Sequence, residues 1–373
     1  MTDQPNAPAG AQTVWDLPLR LFHWIAVSAV AVSLVTGYLL GDHWLFLHVA
    51  AGGVLGGLLA FRLAWGVIGS RYSRFATFPL RPSGVRRQIG HLMRGRSDLH
   101  TGHNPVGAWM IVALLAGLGL LVATGLVVWG GQEHQGPLSA VIGYKLGHGV
   151  KEVHEVLAAL LLTAVGIHVA GVVVETVVFR HPVVKAMVHG RKPVPGSGET
   201  ARTVGLTHTV VGLGLMALAV GAWLYWFYLP RPAVAPVRTS QAYTRDCGDC
   251  HWAFHPSLRT AGTWRTMMAG LADHYGEDAS LAPDRRDQVT AYLVAHAAET
   301  ADTEASHEIG RRETASGRIT DTRYWQRRHR QLSDQDFARP DVGSKMACNA
   351  CHRDADTGRF DDDMIQPPKG VPA

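Results

Sequence analysis

The chain has 373 residues and a formal net charge of +5, and 47% of its residues are hydrophobic while 17% are charged. This length allows two or three domains. The first two thirds are apolar, and the basic residues gather between long apolar stretches, which indicates membrane topology and argues against a nucleic-acid partner.

Five apolar segments are long enough to cross a lipid bilayer, because about 20 helical residues span its hydrocarbon core. They cover residues 19–40, 44–68, 106–129, 150–178 and 204–229. The connection at 41–43 is so short that the first two segments form an antiparallel hairpin. The first segment is long enough to span the membrane, so we expect no cleaved signal peptide.

The loops between these segments differ in charge. Residues 69–105 contain seven arginines and residues 180–203 contain five basic residues, whereas residues 130–147 contain only Lys145. By the positive-inside rule the two basic loops are cytoplasmic. We therefore expect a multi-pass protein of the bacterial inner membrane with a cytoplasmic N-terminus and a periplasmic C-terminal domain.

The predicted fold is all-α, with four regions along the chain. A disordered tail (1–13) precedes a membrane domain (14–229), a proline-rich linker (230–240) and a small, loop-rich helical domain (241–373). In the last region we expect helices at about 258–273 and, after the Pro283-Asp284 start signal, at 284–298.

All four cysteines lie in two Cys-x-x-Cys-His motifs, Cys247-Cys250-His251 and Cys348-Cys351-His352. Two thiols at this spacing can form thioethers to the haem vinyl groups, and the next histidine then binds the iron. A four-thiolate zinc site or two disulfides would not require those histidines. We therefore predict two covalently bound c haems.

The motifs do not decide which residue binds each of these two irons opposite the motif histidine. Met267, Met268 and Leu271 fall at a helical spacing that is more typical of a core than of ligands. His274 lies where its predicted helix ends, and His329 lies in a basic, aromatic stretch. The candidates are His255, Met267, Met268, His274, His296, His307, His329 and Met346.

Four histidines lie well inside the apolar segments, where an unsatisfied imidazole is costly. His154 and His168 are about 40° apart around the helix and about 21 Å apart along it. In the first hairpin, His23 and His48 have a similar axial offset of about 20 Å. We therefore predict two b haems, one between His23 and His168 and the other between His48 and His154.

Three other histidines compete for these roles less well. His43 and His148 lie at the outer interface, and His148 is about 200° around the helix from His168. His208 begins the fifth segment, where we expect its side chain to snorkel to the inner surface. Arg62 shares a face with His48 and either pairs with a haem propionate or anchors the inner interface.

Several motifs of the membrane region together resemble the bacterial cytochrome b561 family, which includes the b-type cytochrome subunit of nickel-iron hydrogenases. The resemblance covers about residues 13–229 and implies a four-helix haem core, followed by an added helix, with quinone as the usual redox partner. Its motifs are Arg20-Leu21-Phe22-His23-Trp24, Phe61-Arg62-Leu63-Ala64-Trp65-Gly66, Gly102-His103-Asn104-Pro105 and the pair His154 and His168.

The C-terminal region resembles the dihaem cytochrome c family known as DHC. This resemblance implies His274 and His329 as distal ligands, with a sphaeroides-haem-protein-like cytochrome as the usual partner. Its motifs are Cys250-His251, His255-Pro256, Trp264, His274 to Ala279, Arg318-Ile319-Thr320, His329 and Cys348 to Phe360.

Our leading hypothesis is electron transfer from quinol through two b haems and two c haems to a soluble periplasmic acceptor. The chain would then act as an electron-transfer cytochrome, and whether it is an enzyme in its own right stays open. One alternative is a periplasmic haem enzyme in which one c haem has an open coordination position. Another is a membrane anchor that serves a dehydrogenase or hydrogenase.

Overall fold

The computed structural model describes residues 10–40, 44–97, 100–194, 205–229, 239–312, 314 and 316–372. These residues are mostly helical and fall into two compact units. Met1–Leu126 and Gly149–Leu229 form the first unit, and Val127–His148 and Pro230–Ala373 form the second. The predicted architecture, membrane helices followed by a small helical domain, is confirmed.

Helices dominate the chain up to residue 229. In chain order they are α1 (Leu17–Tyr38), α2 (Leu45–Ile68), α3 (Pro82–Met93), α4 (Pro105–Gln132), α5 (Tyr144–Val173), α6 (Val183–His189) and α7 (Leu206–Tyr228). In the described ranges, five of them are long and apolar enough to cross a membrane, namely α1, α2, α4, α5 with its π-helical extension to Val178, and α7. The short helices α3 and α6 lie in the two arginine-rich loops, where none was predicted.

Helix α5 begins six residues earlier than expected. The apolar pattern predicts a start at residue 150, whereas the helix starts at Tyr144. The first turns contain polar residues such as Lys145 and Lys151. Apolar character marks the part of a helix that lies in lipid, so it says nothing about a polar extension beyond the membrane.

Glycines let α2 pack closely against α7. A Cβ atom added at Gly56 would lie 2.4 Å from the Trp223 ring, and one at Gly57 would lie 2.8 Å from the Val220 backbone. Small residues at a helix interface allow such close approach in membranes, where the hydrophobic effect does not drive helices together.

The start of α1 is fixed by Asp16. Its carboxylate caps the helix by accepting a hydrogen bond from the Leu19 amide at 2.8 Å. The same carboxylate accepts hydrogen bonds from Trp65 Nε1 at 3.1 Å and from Ser73 Oγ at 2.7 Å. This buried network ties α1 to the end of α2 and to the loop that follows.

A short antiparallel ladder corrects part of one prediction. Strand β1 (Gly10–Thr13) pairs with β2 (Arg191–Val194), and Val14 and Trp15 donate backbone hydrogen bonds to Gly190. The expected disordered tail therefore does not include residues 10–13, while residues 1–9 lie outside the described part. The segment was missed because it lacks the apolar alternation that marks a strand.

The C-terminal domain consists of short helices around two apolar clusters. Its α-helices are α8 (Gln241–Cys247), α9 (Ala261–Ala269), α10 (Pro283–Ala295), α11 (Arg323–Arg328) and α12 (Asp334–Phe337). The predicted helix at 258–273 is α9 flanked by two 3-10 turns, because Thr260 caps its start and Gly270 ends it. Most of the predicted linker, residues 230–238, lies outside the described residues, as do Asp42 and His43.

Candidate haem sites

Two of the membrane histidines face each other across helices. The ring centres of His48 on α2 and His154 on α5 lie 6.3 Å apart. Each ring is held at Nδ1: His48 bonds to the Ser33 carbonyl at 3.1 Å, and His154 bonds to Thr124 Oγ1 at 2.9 Å. A carbonyl can only accept, so Nδ1 of His48 carries the proton and Nε2 stays available to a metal.

The spacing of this pair fits two imidazoles on one metal. Metal–imidazole bonds are about 2 Å long, and the ring centre lies about 1 Å beyond the nitrogen, so two opposed ligands have centres about 6 Å apart. The observed 6.3 Å agrees with that distance. The residues present therefore fit a haem iron held between α2 and α5.

Two glycines leave room beside these rings. A Cβ atom at Gly37 on α1 would lie 3.3 Å from His48 Cε1, and one at Gly125 on α4 would lie 3.3 Å from His154 Cε1. A larger side chain at either position would press on an imidazole. These glycines, with Thr124, were missed by the sequence analysis, although small or hydroxyl residues inside apolar helices are a signal for such a site.

The other predicted membrane pair is His23 on α1 and His168 on α5. The two imidazoles are near enough for a charge on one to be felt at the other. Nδ1 of His23 is buried and has no hydrogen-bond partner. A buried imidazole with an unsatisfied nitrogen is costly unless it serves a ligand, so this pair also suits a haem.

Arg62 is a buried cation, with 2% of its surface exposed. Its guanidinium lies 4.4 Å from the centre of the Phe75 ring, and its Nη1 atom has no hydrogen-bond partner. The Asp16 carboxylate acts on it electrostatically, but that carboxylate is already engaged with Trp65 and the nearby serines. The free Nη1 can therefore donate hydrogen bonds to an additional anionic partner.

The first Cys-x-x-Cys-His motif follows α8. Cys247 is the last residue of that helix, and Cys250 is exposed. The ring centres of His251 and His274 lie 6.2 Å apart, and Nδ1 of His251 donates to the Trp252 carbonyl at 2.8 Å. His274 follows α9 and is fixed by a backbone bridge to Glu277, so a short loop presents it to His251.

The second motif shows the same spacing. The ring centres of His329 and His352 also lie 6.2 Å apart. Nδ1 of His329, which follows α11, donates to the Trp325 carbonyl at 2.9 Å, and its ring stacks on that of Trp325 at 4.4 Å. The structure thus brings each motif histidine together with the distal candidate that the resemblance implies.

Burial controls the protonation of these groups. It raises the pKa of the Cys247 thiol to about 11 and that of Cys348 to about 12. It also lowers the pKa of His352 to about 4, to which nearby His329 and Arg328 contribute. The pKa values of His274 and His329 are lowered by burial as well. These imidazoles are therefore neutral near pH 7, which is the form that binds a metal.

The remaining distal candidates lie elsewhere. Met268 is buried in the core around Leu293, and Met267 packs against that core. The His255 ring is bonded to Ser257, and that of His296 to the Tyr292 carbonyl. The His307 ring is paired with Asp302. The Met346 side chain is exposed.

The zinc and disulfide alternatives find no support in the geometry. No two of the four cysteines are joined in a disulfide. Within the ranges that the structure describes, no three His, Cys, Asp or Glu side chains converge as in a metal-ion site.

The three competitors of the membrane histidines are placed as follows. His148 lies beside the Tyr144 hydroxyl at 3.3 Å, and His208 contacts the Trp65 ring at 5.4 Å between ring centres. His43 lies outside the described residues.

Comparisons with known proteins agree with this arrangement. The family model for prokaryotic cytochrome b561 matches residues 14–190, and the model for dihaem cytochrome c matches residues 243–360.

Curated relatives match the membrane region. A probable Ni/Fe-hydrogenase B-type cytochrome subunit of Bradyrhizobium diazoefficiens is 25% identical over 212 residues, which cover 48% of this chain and 85% of the relative. The probable Ni/Fe-hydrogenase 1 B-type cytochrome subunit of Escherichia coli K12 is 29% identical over 144 residues, 32% of this chain and 60% of the relative.

Solved structures match the C-terminal region. The dihaem cytochrome c of Rhodobacter sphaeroides is 34% identical, with 34% of this chain and 100% of that chain covered and a TM-score of 0.29. The dihaem cytochrome c of Shewanella baltica OS155 is 32% identical, with 35% and 93% covered and a TM-score of 0.28.

The two family models together cover most of the chain, and the paired histidines and Cys-x-x-Cys-His motifs lie within their ranges. Residues 14–190 therefore belong to the prokaryotic cytochrome b561 family and residues 243–360 to the dihaem cytochrome c family, and the chain is a multi-pass membrane cytochrome for electron transfer with haem b and haem c.

Proposed function

We propose that this chain conducts electrons from the quinone pool through two b haems to two c haems, and from there to a soluble periplasmic cytochrome or haem protein. The observation that carries the proposal is the repeated spacing of facing imidazoles. It is 6.3 Å in the membrane helices and 6.2 Å at both Cys-x-x-Cys-His motifs.

In this proposal, the haem-binding residues form four sites. His23 with His168 and His48 with His154 hold the two b haems, and Arg62 pairs with a propionate of one of them. Cys247, Cys250, Cys348 and Cys351 attach the c haems covalently, with His251 and His352 as proximal ligands. His274 and His329 are the distal ligands. When bound, each haem iron takes up and releases one electron.

The protein fixes the orientation and the basicity of the imidazole ligands at these sites. Hydrogen bonds at Nδ1 of His48, His154, His251 and His329 orient the rings and raise their basicity as ligands. With His274 facing His251 and His329 facing His352, two histidines would hold each c haem iron. This arrangement supports electron transfer over a periplasmic enzyme with an open coordination position.

The arginine-rich loops support the proposed orientation in the bacterial inner membrane. With those loops in the cytoplasm, the N-terminus is cytoplasmic and the dihaem domain (241–373) is periplasmic, joined by a linker (230–240) to the membrane domain (14–229). Covalent haem attachment to such motifs takes place outside the cytoplasm, which agrees with this orientation.

A second candidate function is a membrane subunit that takes electrons from a dehydrogenase or hydrogenase. The names of the curated relatives favour it, since they are described as hydrogenase cytochrome subunits. Gentle purification separates the two: a tightly bound flavin, molybdenum or nickel-iron subunit supports the anchor, and a chain that oxidises quinol alone supports the conduit.

Rapid mixing of the purified protein with a short-chain quinol tests the proposal, because the absorption bands of b and c haems are resolved. In the unaltered protein, b-haem reduction should precede c-haem reduction. In His48→Ala, the c haems should stay oxidised on this time scale, while they stay reducible by dithionite. His189→Ala, which changes an exposed histidine of α6, is the matched control. Unchanged c-haem reduction in His48→Ala would contradict the route.

A further inference from the structure

The connection between α4 and α5 belongs with the C-terminal domain. Val127–His148 and Pro230–Ala373 form one compact unit. The contact is centred on Asp302, a residue of the dihaem domain, and on Tyr144, the first residue of α5. Tyr144 is 2% exposed, so this contact covers it almost completely.

The Asp302 carboxylate binds both sides of this contact. Its Oδ2 accepts a hydrogen bond from the Tyr144 amide at 3.0 Å, and its Oδ1 lies 2.9 Å from His307 Nε2. His134 Nε2 lies 3.9 Å from the same carboxylate. A negative charge at the first turn of α5 is favourable, because the amides there have no partner within the helix.

Gly143 is needed for this approach. A Cβ atom at this position would lie 2.7 Å from Asp302 Oδ2, closer than Cβ atoms are found. The sequence therefore provides an acceptor on one side of the contact and leaves space for it on the other.

Aromatic rings line the same contact. Tyr144 lies between His148, at 5.4 Å and 24°, and His307, at 4.7 Å and 26°. His307 lies in the π-helical turn Ser306–Gly310, where Ile309 shares an apolar cluster with Trp325. Trp325 in turn stacks on His329, the proposed distal ligand of the second c haem.

His148, at the other end of this series of rings, lies on α5. His148 and His154 lie on the same helix, six residues or about 9 Å apart along its axis. His154 is a proposed ligand of the outer b haem. The helix whose first residue makes the Asp302 contact thus also contains this proposed ligand.

We propose that Asp302, Tyr144 and His307 form an internal docking contact through which the second c-haem site, His329 with His352, receives electrons from the membrane. This inference rests on the proposed function and adds the entry point. One electron moves per event, so that a b haem is oxidised and a c haem is reduced, with no bond made or broken and no proton moved. In this arrangement Asp302 is a positioning residue.

Four variants of the full-length protein test this contact, one of them His307→Ala. Asp302→Ala removes both hydrogen bonds, and Asp302→Asn keeps an oxygen that can accept from the Tyr144 amide. Asp287→Ala is the matched control, since Asp287 is an exposed carboxylate paired with the neighbouring Arg286. Quinol mixing follows the b and c bands separately, and hydrogen exchange reports on the Tyr144 amide.

In Asp302→Ala, b-haem reduction should keep its rate while c-haem reduction slows at least about tenfold, because misplaced reacting groups lose rate steeply. Exchange at Tyr144 should rise in Asp302→Ala, and Asp302→Asn should largely restore its protection. The absorption spectra of the c haems should not change in Asp302→Ala. Unchanged spectra show that the dihaem domain is displaced from the contact and has not unfolded. His307→Ala should slow c-haem reduction with Tyr144 still protected.

Unchanged c-haem reduction and unchanged Tyr144 exchange in Asp302→Ala would overturn the docking contact. If quinol reduces neither haem type in the unaltered protein, the proposed function fails. The Tyr144 exchange then still decides the contact, because it needs no electron donor.

Discussion

At the scale of single residues, the same imidazole spacing arises at three pairs in two different local settings. His48 and His154 come from long membrane helices, whereas His274 and His329 come from the ends of short helices in a loop-rich domain. Nδ1 of His48, His154, His251 and His329 is hydrogen-bonded to a carbonyl or hydroxyl oxygen. These oxygens fix the ring orientation before any cofactor is bound, so they belong to the sites as much as the imidazoles do.

We expect Thr124→Val to weaken the binding of one b haem. The change removes the partner of His154 Nδ1 while it keeps the side-chain volume. Loss of such a second-layer hydrogen bond typically costs about tenfold or more in metal affinity. The fraction of b haem that the protein retains after dialysis against apomyoglobin measures this loss of affinity. Thr163→Val is the control, because the hydroxyl of Thr163 donates to the Ala159 carbonyl of its own helix. Equal haem loss in both variants would count against the assignment.

Arg62→Gln should lower the reduction potential of one b haem by roughly 60 mV, equivalent to a tenfold change in its affinity for one electron. A buried cation beside a haem favours the added electron, and Arg62 has an unpaired Nη1. Potentiometric titration of the b bands measures the shift. Arg71→Gln changes an arginine of the adjoining loop and should leave both potentials in place. An unmoved midpoint in Arg62→Gln would exclude the propionate role.

At the scale of helices, α2 is the centre of the membrane bundle because it packs closely on both α1 and α7. Its glycines remove side chains where α7 crosses, at Gly53, Gly56 and Gly57. The same helix contains His48 and Arg62. Close packing of α2 therefore fixes the positions of two groups that the haem sites need.

Gly57→Val should destabilise the bundle by about 1–3 kcal/mol, since the added atoms would meet the Val220 backbone, which cannot move like a side chain. Gly52→Val is the control on the same helix, as nothing lies within 4 Å of a Cβ atom there. Thermal denaturation in detergent, followed by loss of the b-haem band, compares the two. Equal melting temperatures would show that this glycine contact does not limit stability.

The helices could be predicted from the sequence more reliably than their ends. Apolar length alone locates the spanning helices, because lipid requires it. The start of α5 at Tyr144 was not predicted because its first turns are polar. Strand β1 was not predicted because Gly10–Thr13 has no alternating pattern.

For the sites, the Cys-x-x-Cys-His motifs are local and are read directly from the sequence. The membrane pairs follow from helix arithmetic. The proposed distal ligands His274 and His329 came from a family resemblance, because short helices joined by loops give no spacing rule. Contacts between distant segments, such as that of Asp302 with Tyr144, leave no trace in the sequence pattern.

At the scale of the whole molecule, the chain joins a membrane cytochrome to a dihaem cytochrome in one polypeptide. Fusion keeps the donor and acceptor sites at a high effective concentration, so transfer between them needs no diffusional encounter. Haem attachment in the C-terminal part and haem binding in the membrane part are chemically independent. The count of each haem type is therefore the property on which the account depends most.

A pyridine haemochrome measurement on the purified full-length protein tests that property directly, because b and c haems give separate bands. The account predicts two b haems and two c haems per chain. Acid–acetone extraction should remove the b haems and leave the covalently attached c haems with the protein. Material that contains only covalently bound haem, or fewer than two haems of either type at full occupancy, would contradict it.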